Sequence, residues 1–294
     1  MIRLAGILRG QTFSPAQHAN NDRLILERTS AVLARKGCQV ELYSEEEVGT
    51  RAIDAPVIFS MCQGPRANAE LVKLERQGHL IINSPRAVQN CYRVNLARFV
   101  GEHPVLAPMT VIPTRAPRAF RLQPGASYWV KRGDVHATEA GDVARVDSEL
   151  DYRRVLGRLA HRGVDEAVVQ PHLEGTVVKF YGVVGTRFFR YYAERDHKVA
   201  PVAFRAVRGA IDVLVRQMGL MVYGGDAVLT DDGRAHVIDV NDWPSFAYFR
   251  DAAAAVIGKR IFREGLAAVA AGPAVVAAGH APLGLGSLTL HTKS

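Results

Sequence analysis

Two aspartates and an asparagine near the C-terminal end of the chain are the first residues whose spacing suggests chemistry. Asp226 lies in the apolar run Val222–Leu229, and Asp239 and Asn241 lie on and just past the run His236–Val240. Asp231-Asp232-Gly233 falls roughly midway between them and supplies an Asp-Gly turn signal. Such a hairpin brings Asp226 and Asp239 near each other across paired strands. Residues two apart on a strand share a face, so Asp239 and Asn241 point the same way. Three hard oxygen ligands converging at one end of a hairpin suit Mg2+, which takes one or two carboxylates and leaves room for substrate phosphates. The competing reading is that the carboxylates only cap strands or pair with arginines. Against it, an inward carboxylate in apolar sequence is costly without a partner, and a metal is one.

Two lysines stand out next. Trp129-Val130-Lys131 is an apolar strand ending in a flexible ammonium, a good phosphate partner, unless Lys131 is an ordinary surface residue. The polar loop Gly133–Gly141 follows, with Asp134, His136 and Thr138. His136 is a lone histidine that either is solvated or closes over an acceptor. Lys179 lies in Val177-Val178-Lys179-Phe180-Tyr181, where it shares a face with Tyr181 and needs an anionic partner unless the strand is an exposed edge. Arg9-Gly10 follows the first strand, and Ser14 to Asp22 leads into the first helix. A loop between a strand end and a helix start is a natural anion site. Arg9, Ser14, His18 and Asn21 are therefore candidates for touching an acceptor, with Asn20 and Asn21 equally suited to capping the helix. Met61-Cys62-Gln63-Gly64, after another strand, is expected to reach the same crevice.

The elements that must position these residues fall into two textures. Up to residue 84 strand and helix alternate: Ile2–Leu8, a helix over Asp22–Lys36, Gln39–Tyr43, Pro56–Met61, a helix over Ala67–Arg76, and Leu80–Asn83. This predicts a small parallel sheet. Ser84-Pro85 opens a helix running to about Val100, with Ser84 as N-cap. Glu102–Arg118 holds four prolines and is the best linker candidate. Beyond it come a strand at Ser127–Arg132, a helix at Ser148–His161, a strand at Ala167–Pro171, and two hairpins separated by a helix over Val202–Met218. Two helices and a flexible tail over Gly284–Ser294 complete the chain. No repeat is present.

The bulk properties narrow the classes. A chain of 294 residues supports two or three compact units. The apolar share of 48% and charged share of 22% are those of an ordinary globular protein. No stretch approaches the apolar length of a membrane helix, and the N-terminus reads as a first strand rather than a leader, so a cytoplasmic location is expected. Cys38, Cys62 and Cys91 are far apart and odd in number, which argues for reduced thiols rather than a disulfide framework. The net charge of +8 raises nucleic acid as a partner, but the basic residues are spread along the chain without a run, and an anionic small molecule explains them equally well. A homodimer is left open.

Val237-Ile238-Asp239-Val240-Asn241-Asp242-Trp243-Pro244-Ser245-Phe246 resembles the metal-binding signature of the ATP-grasp superfamily, and Gly225-Asp226 resembles its upstream metal ligand. The resemblance covers roughly Ser84 to Ala271 and extends to the glutathione synthetase-like ligases. It implies an α/β protein with an ATP-grasp fold and an N-terminal parallel-sheet domain: 1–84 as that domain, 85–108 as helix and linker, 109–168 as the small lobe, 169–273 as the large lobe with the metal site, and 274–294 as a tail. It implies ATP and Mg2+ as cofactors. Lys131 corresponds to a lysine on the α-phosphate, and Gly133–Gly141 to a mobile phosphate lid. Val168 and Gln170 sit in the strand that meets the adenine, Glu174 matches the ribose-binding acid, and Lys179 matches a basic residue near the transferred phosphate. Ser245 falls in the loop beside the acceptor. Where many members carry a second nucleotide lysine, this chain has Asn90-Cys91-Tyr92-Arg93, so Arg93 takes that role. Asp239 in place of the glutamate of many ligases, together with Arg93, resembles the inositol polyphosphate kinases of the same superfamily. The leading expectation is a carboxylate-amine ligase acting through an acyl phosphate, with a small-molecule kinase or a non-catalytic nucleotide sensor as alternatives, and with Lys179, Arg93 and His136 as the catalytic candidates.

Overall fold

The computed structural model describes residues 1–14, 16–193 and 201–272, with the side chains of 16–19 and 201–206 outside the description. The tail expected over 274–294 lies outside the described residues. In chain order the elements are β1 (Arg3–Ile7), α1 (Ala16–Arg35), β2 (Gln39–Tyr43), β3 (Val57–Ser60), α2 (Pro65–Arg76), β4 (Leu80–Ile82), α3 (Pro85–Asn90) and α4 (Arg93–Leu96). There follow β5 (Thr110–Pro113), β6 (Tyr128–Arg132), β7 (Val143–Val146), α5 (Glu149–His161), β8 (Glu166–Pro171), β9 (Thr176–Val183), β10 (Phe189–Ala193), α6 (Pro201–Gln217), β11 (Val222–Leu229), β12 (Ala235–Asp242) and α7 (Arg250–Ala271).

The first four strands form the expected parallel sheet, in the order β2-β1-β3-β4. The strands β1, β3 and β4 are short apolar runs because both faces are covered, whereas the edge strand β2 carries exposed Gln39 and Glu41. Ala5, Ile7 and Ile58 pack with Leu71 of α2, while Leu4, Val57 and Phe59 pack with Ile25 and Leu26 of α1 and with Ile257 and Ile261 of α7. The helix α7 therefore lies on the N-terminal sheet although it follows the last strand of the chain. At Gly258 an added Cβ would stand 2.6 Å from Val32 Cγ1, so this glycine sets how closely α7 approaches α1.

Several expectations are corrected. The helix α1 begins at Ala16, so Asn20 and Asn21 are helical residues rather than caps. The helix expected over 84–100 starts as foreseen, with Ser84 accepting from the Ala87 N–H at 3.2 Å, but it breaks at Cys91 and Tyr92. Tyr92 adopts an extended backbone, and its hydroxyl donates to the Gln63 carbonyl at 2.7 Å, which pins the break against the loop after β3. The proline-rich stretch is not a loose linker. Val105, Leu106 and Ala107 are buried, Ala107 N–H donates to Val237 O at 2.8 Å, and Val237 N–H donates to Val105 O at 2.7 Å. Thr110–Pro113 then becomes the edge strand β5, where a proline at the strand end removes no central ladder bond.

Two antiparallel sheets complete the fold, ordered β5-β8-β6-β7 and β10-β9-β11-β12. The helix α5, capped by Ser148 accepting from Asp151 N–H, covers one face of the smaller sheet through Tyr152, Val155, Leu156 and Leu159. All of β8 pairs within that sheet, between β5 and β6. Lys131 Nζ donates to Ile238 O at 3.0 Å and Arg93 Nη1 donates to Arg132 O at 3.2 Å, which ties the free face of the small sheet to β12 and to α4.

Candidate active site

Strand register puts four polar residues in one line across the large sheet. Tyr192 of β10 opposes Lys179 of β9, Lys179 opposes Asp226 of β11, and Asp226 opposes Asp239 of β12. The next row on the same face holds Arg190, Tyr181, Gly224 and Asn241. The hairpin thus brings Asp226, Asp239 and Asn241 together as the spacing foretold, with a bulge just after Asp226. Each carboxylate carries a cation. Lys179 Nζ donates to Asp226 Oδ1 at 2.9 Å, and Arg93 Nη2 donates to Asp239 Oδ2 at 2.6 Å. Burial pushes the Asp226 carboxyl up, partly offset by Lys179. Burial acts the same way on Asp239, but the charges of Arg93 and Lys131 outweigh it and hold that carboxyl below its ordinary value.

The small lobe faces this line with β6 and β8. Lys131 pairs in register with Val168 and Trp129 with Gln170, so Lys131 and Val168 share the site face with Gln170 one pleat along. Lys131 Nζ donates to Gln170 Oε1 at 2.7 Å. Burial lowers the Lys131 ammonium to about 8, with Asp239 opposing that shift. Gln170 is 1% exposed, and its Nε2 is buried without a hydrogen-bond partner. Glu174, past the end of β8, is largely exposed and stands 3.1 Å from His172 Nε2.

The loop between β6 and β7 folds over the gap between the lobes. Arg132 holds Asp134 at 2.6 Å, and the fully buried Asp142 accepts from the backbone N–H and hydroxyl of Thr138 and from Arg162. Val135 is buried beside Val88 and Tyr92, with Phe13 against them. His136 is 8% exposed, and its Nε2 lies 3.3 Å from Asp242 Oδ1 at an angle that makes no hydrogen bond. The solvated alternative for His136 is thereby set aside.

The N-terminal crevice reaches the same place but not as an open anion site. Arg9 Nη1 donates to Asp22 Oδ2 at 3.0 Å, its Nε to Met61 O at 3.3 Å, and its Nη2 to Trp243 O at 3.0 Å and Asp242 O at 3.3 Å. Ser14 Oγ donates to the same Asp22 oxygen at 2.7 Å. The Gly10 and Gly64 N–H groups donate to Glu45 at 2.7 and 2.6 Å. The donors there are held by the chain's own carboxylates, Arg9 and Ser14 by Asp22 and the Gly10 and Gly64 amides by Glu45. The His18 side chain lies outside the described residues. Ser245 is half-buried in the loop after β12, and Gln63 reaches that loop as expected, its Nε2 donating to Asp242 Oδ1 at 2.9 Å. Sequence reasoning passed over Asp242 and Glu45, whose carboxylates close this crevice from within. Asp242 is out of step with Asp239 and Asn241 on its strand, and no pattern ties Glu45 to loops so distant in sequence.

No protein-family model and no curated protein sequence matches the chain. Solved structures match its fold over nearly their whole length. The D-alanine–D-alanine ligase of Bacillus anthracis complexed with ATP aligns at a TM-score of 0.70 and 13% identity, covering 92% of this chain and 99% of that one. The D-cycloserine synthetase DcsG aligns at 0.64 and 15% identity, covering 88% and 99%. A RimK domain ATP-grasp protein of Sphaerobacter thermophilus aligns at 0.64 and 16% identity, covering 88% and 99%. The chain has the ATP-grasp fold.

Proposed function

We propose that the chain is an ATP- and Mg2+-dependent carboxylate-amine ligase. The observation that carries the reading is the line Lys179–Asp226–Asp239–Arg93, with Lys131 and Gln170 set against it from the other lobe. D-alanine–D-alanine ligase, D-cycloserine synthetase and D-Ala:D-Ser ligase are among the proteins that share the fold, and these names support ligation over phosphorylation of a hydroxyl.

The donor set fits a divalent ion: two carboxylates facing each other on adjacent strands, with an amide oxygen one row on. Asp226, Asp239 and Asn241 would hold Mg2+, which would supply positive charge to the phosphates. Lys131 and Arg93 bind the triphosphate, Val168 lines the base, and the buried Gln170 Nε2 is a donor for it. Glu174 takes the ribose and Lys179 meets the transferred group. A carboxylate oxygen of the first substrate attacks the γ-phosphorus, the β–γ bridging bond breaks, and ADP leaves. An amine then attacks the acyl phosphate carbon, phosphate departs, and the amine loses a proton. Fixed cations and lid closure lower both barriers by placing charge where it develops and by keeping water out. The reaction is assigned to the cytoplasm and to small-molecule substrates.

The test is ADP release over paired panels of carboxylates and amines, with product mass. Release that needs both partners and gives a condensed product supports the ligase. Release driven by a phosphorylated polyol alone makes the chain a kinase, and Mg-ATP binding without turnover in either panel makes it a sensor.

A further inference from the structure

In the parallel sheet the order reverses between β1 and β3, and ligands of such sheets bind outside the carboxyl ends of the strands at that point. Here that crevice is lined by carboxylates. Glu45 fills the loops after β1 and β3, Asp22 holds Arg9, and Asp242 meets Gln63. Arg9 lies in the field of all three. Among the described residues three carboxylates therefore meet one guanidinium. The excess negative charge is felt by the surroundings. Burial first, then Glu45 and Asp242, push the Cys62 thiol well up, and the same two carboxylates add to the effect of burial on Tyr92.

Two further observations point to a missing partner. Asp242 is 0% exposed, and its Oδ2 has no hydrogen-bond partner. His136 closes over it from the lid, with neither ring nitrogen hydrogen-bonded. A buried carboxylate oxygen without a donor is costly, and Asp242 ends β12 directly after Asn241, with His136 facing its carboxylate. An ammonium offers three donors and no acceptor, which is what an orphaned carboxylate oxygen and an imidazole nitrogen both accept.

We propose that Asp242 and His136 form the subsite for a primary amine of the substrate, with Asp242 Oδ2 as its anionic partner and His136 as the residue that closes over it. The inference rests on the ligase reading, since a kinase acting on a phosphorylated polyol needs the opposite charge here. It makes Asp242 a specificity residue: it selects amino-bearing substrates and repels those that place phosphate or a second carboxylate in the crevice.

The test is calorimetry of the full chain with L- and D-amino acids, and with the 2-hydroxy acids that carry hydroxyl in place of the ammonium, with and without Mg2+ and a non-hydrolysable ATP analogue. The expected result is that at least one amino acid binds, that its hydroxy acid binds about tenfold or more weakly, and that Asp242→Asn erases this preference, as expected for losing a charge-assisted hydrogen bond. Nucleotide affinity of the variant is expected to match the parent. His136→Phe, on a loop, is the second variant should Asp242→Asn fail to fold, and it is expected to weaken the amino acid several-fold. Equal binding of amino and hydroxy acids, unchanged amine affinity in both variants, or preferential binding of a phosphorylated polyol overturns the assignment. Failure to bind the nucleotide analogue would instead sink the ligase reading while leaving the amine preference measurable on its own.

Discussion

Arg93 Nη2 sits 2.6 Å from Asp239 Oδ2, and both side chains are almost fully buried. The same arrangement recurs one strand over, where Lys179 holds Asp226 at 2.9 Å. The cations assigned to the triphosphate thus neutralise the carboxylates assigned to the metal. Phosphate and Mg2+ arriving together would exchange these partners, each ion leaving the site as well matched as before. Metal alone would have to compete with Arg93 and Lys179 for the same oxygens.

Removing Arg93 exposes this arrangement. Breaking a buried pair from one side leaves an uncompensated charge and costs about 3–5 kcal/mol. Arg93→Met is therefore expected to unfold at lower temperature than the parent without divalent ions, and to regain more of its stability than the parent gains when Mg2+ is added. Nucleotide-free binding of Mn2+ is expected to tighten in the variant while ATP binding weakens. Thermal melts and metal titrations check this; an Arg93 variant with unchanged metal affinity would contradict it.

Lys131 gives a prediction in pH. Burial lowers its ammonium to about 8 in the nucleotide-free chain. A triphosphate favours the charged form, so binding takes up a proton once the pH exceeds that value. The dissociation constant for ATP is expected to be flat below pH 8 and to rise by up to about tenfold per pH unit above it. Lys131→Met is expected to bind ATP more weakly and to lose this slope. A dissociation constant that stays flat across the alkaline range in the parent would contradict the assignment.

The parts of the site built on strand periodicity were legible in the sequence. Alternation within Val222–Leu229 and His236–Val240, with the Asp-Gly turn between, was enough to bring Asp226 and Asp239 face to face. Lys131 and Lys179 were readable as cations in apolar strands for the same reason. What alternation cannot carry is contact between elements far apart in the chain. The pairing of Val105 and Ala107 with Val237 was hidden behind prolines that suggested a linker. The placement of α7 on the N-terminal sheet depends on close packing at Gly258. Arg93 read as a phosphate ligand, and nothing local signals that a carboxylate on a distant strand holds it. Glu45 carries no local signal that its carboxylate closes the loops after β1 and β3.

Asn83 shows how a side chain joins the N-terminal parallel sheet to the large sheet. Its Nδ2 donates to Val222 O at 2.7 Å, and its Oδ1 accepts from the N–H groups of Met221 and Val222 at 2.8 and 2.9 Å. The amide thereby acts as one more strand residue at the start of β11. Each buried backbone group left unsatisfied costs about 1–3 kcal/mol. Asn83→Ala is expected to lose on the order of 3 kcal/mol, and Asn83→Asp at least as much, since it sets a buried carboxylate against the Val222 carbonyl. Urea unfolding checks the order; an alanine variant as stable as the parent would show that the two sheets are held together elsewhere.

Two glycines with opposite surroundings give the last prediction. An added Cβ at Gly225, next to Asp226, would stand 2.4 Å from the Asp239 carbonyl oxygen and 2.4 Å from Phe180 Cζ. The clash with the carbonyl can be relieved only by parting β11 from β12, and these two strands set the facing of Asp226 and Asp239. Gly225→Ala is expected to cost about 1–3 kcal/mol and to weaken Mn2+ binding in the presence of nucleotide. Gly157 lies within α5 with nothing inside 4 Å of the same added atom. There the substitution removes backbone freedom from the unfolded chain without strain, so Gly157→Ala is expected to stabilise by about 0.5–1 kcal/mol and leave metal binding unchanged. Unfolding midpoints and metal titrations on the two variants test the pair together. Equal effects at the two positions would mean that the approach of β11 to β12 is not what holds Asp226 opposite Asp239.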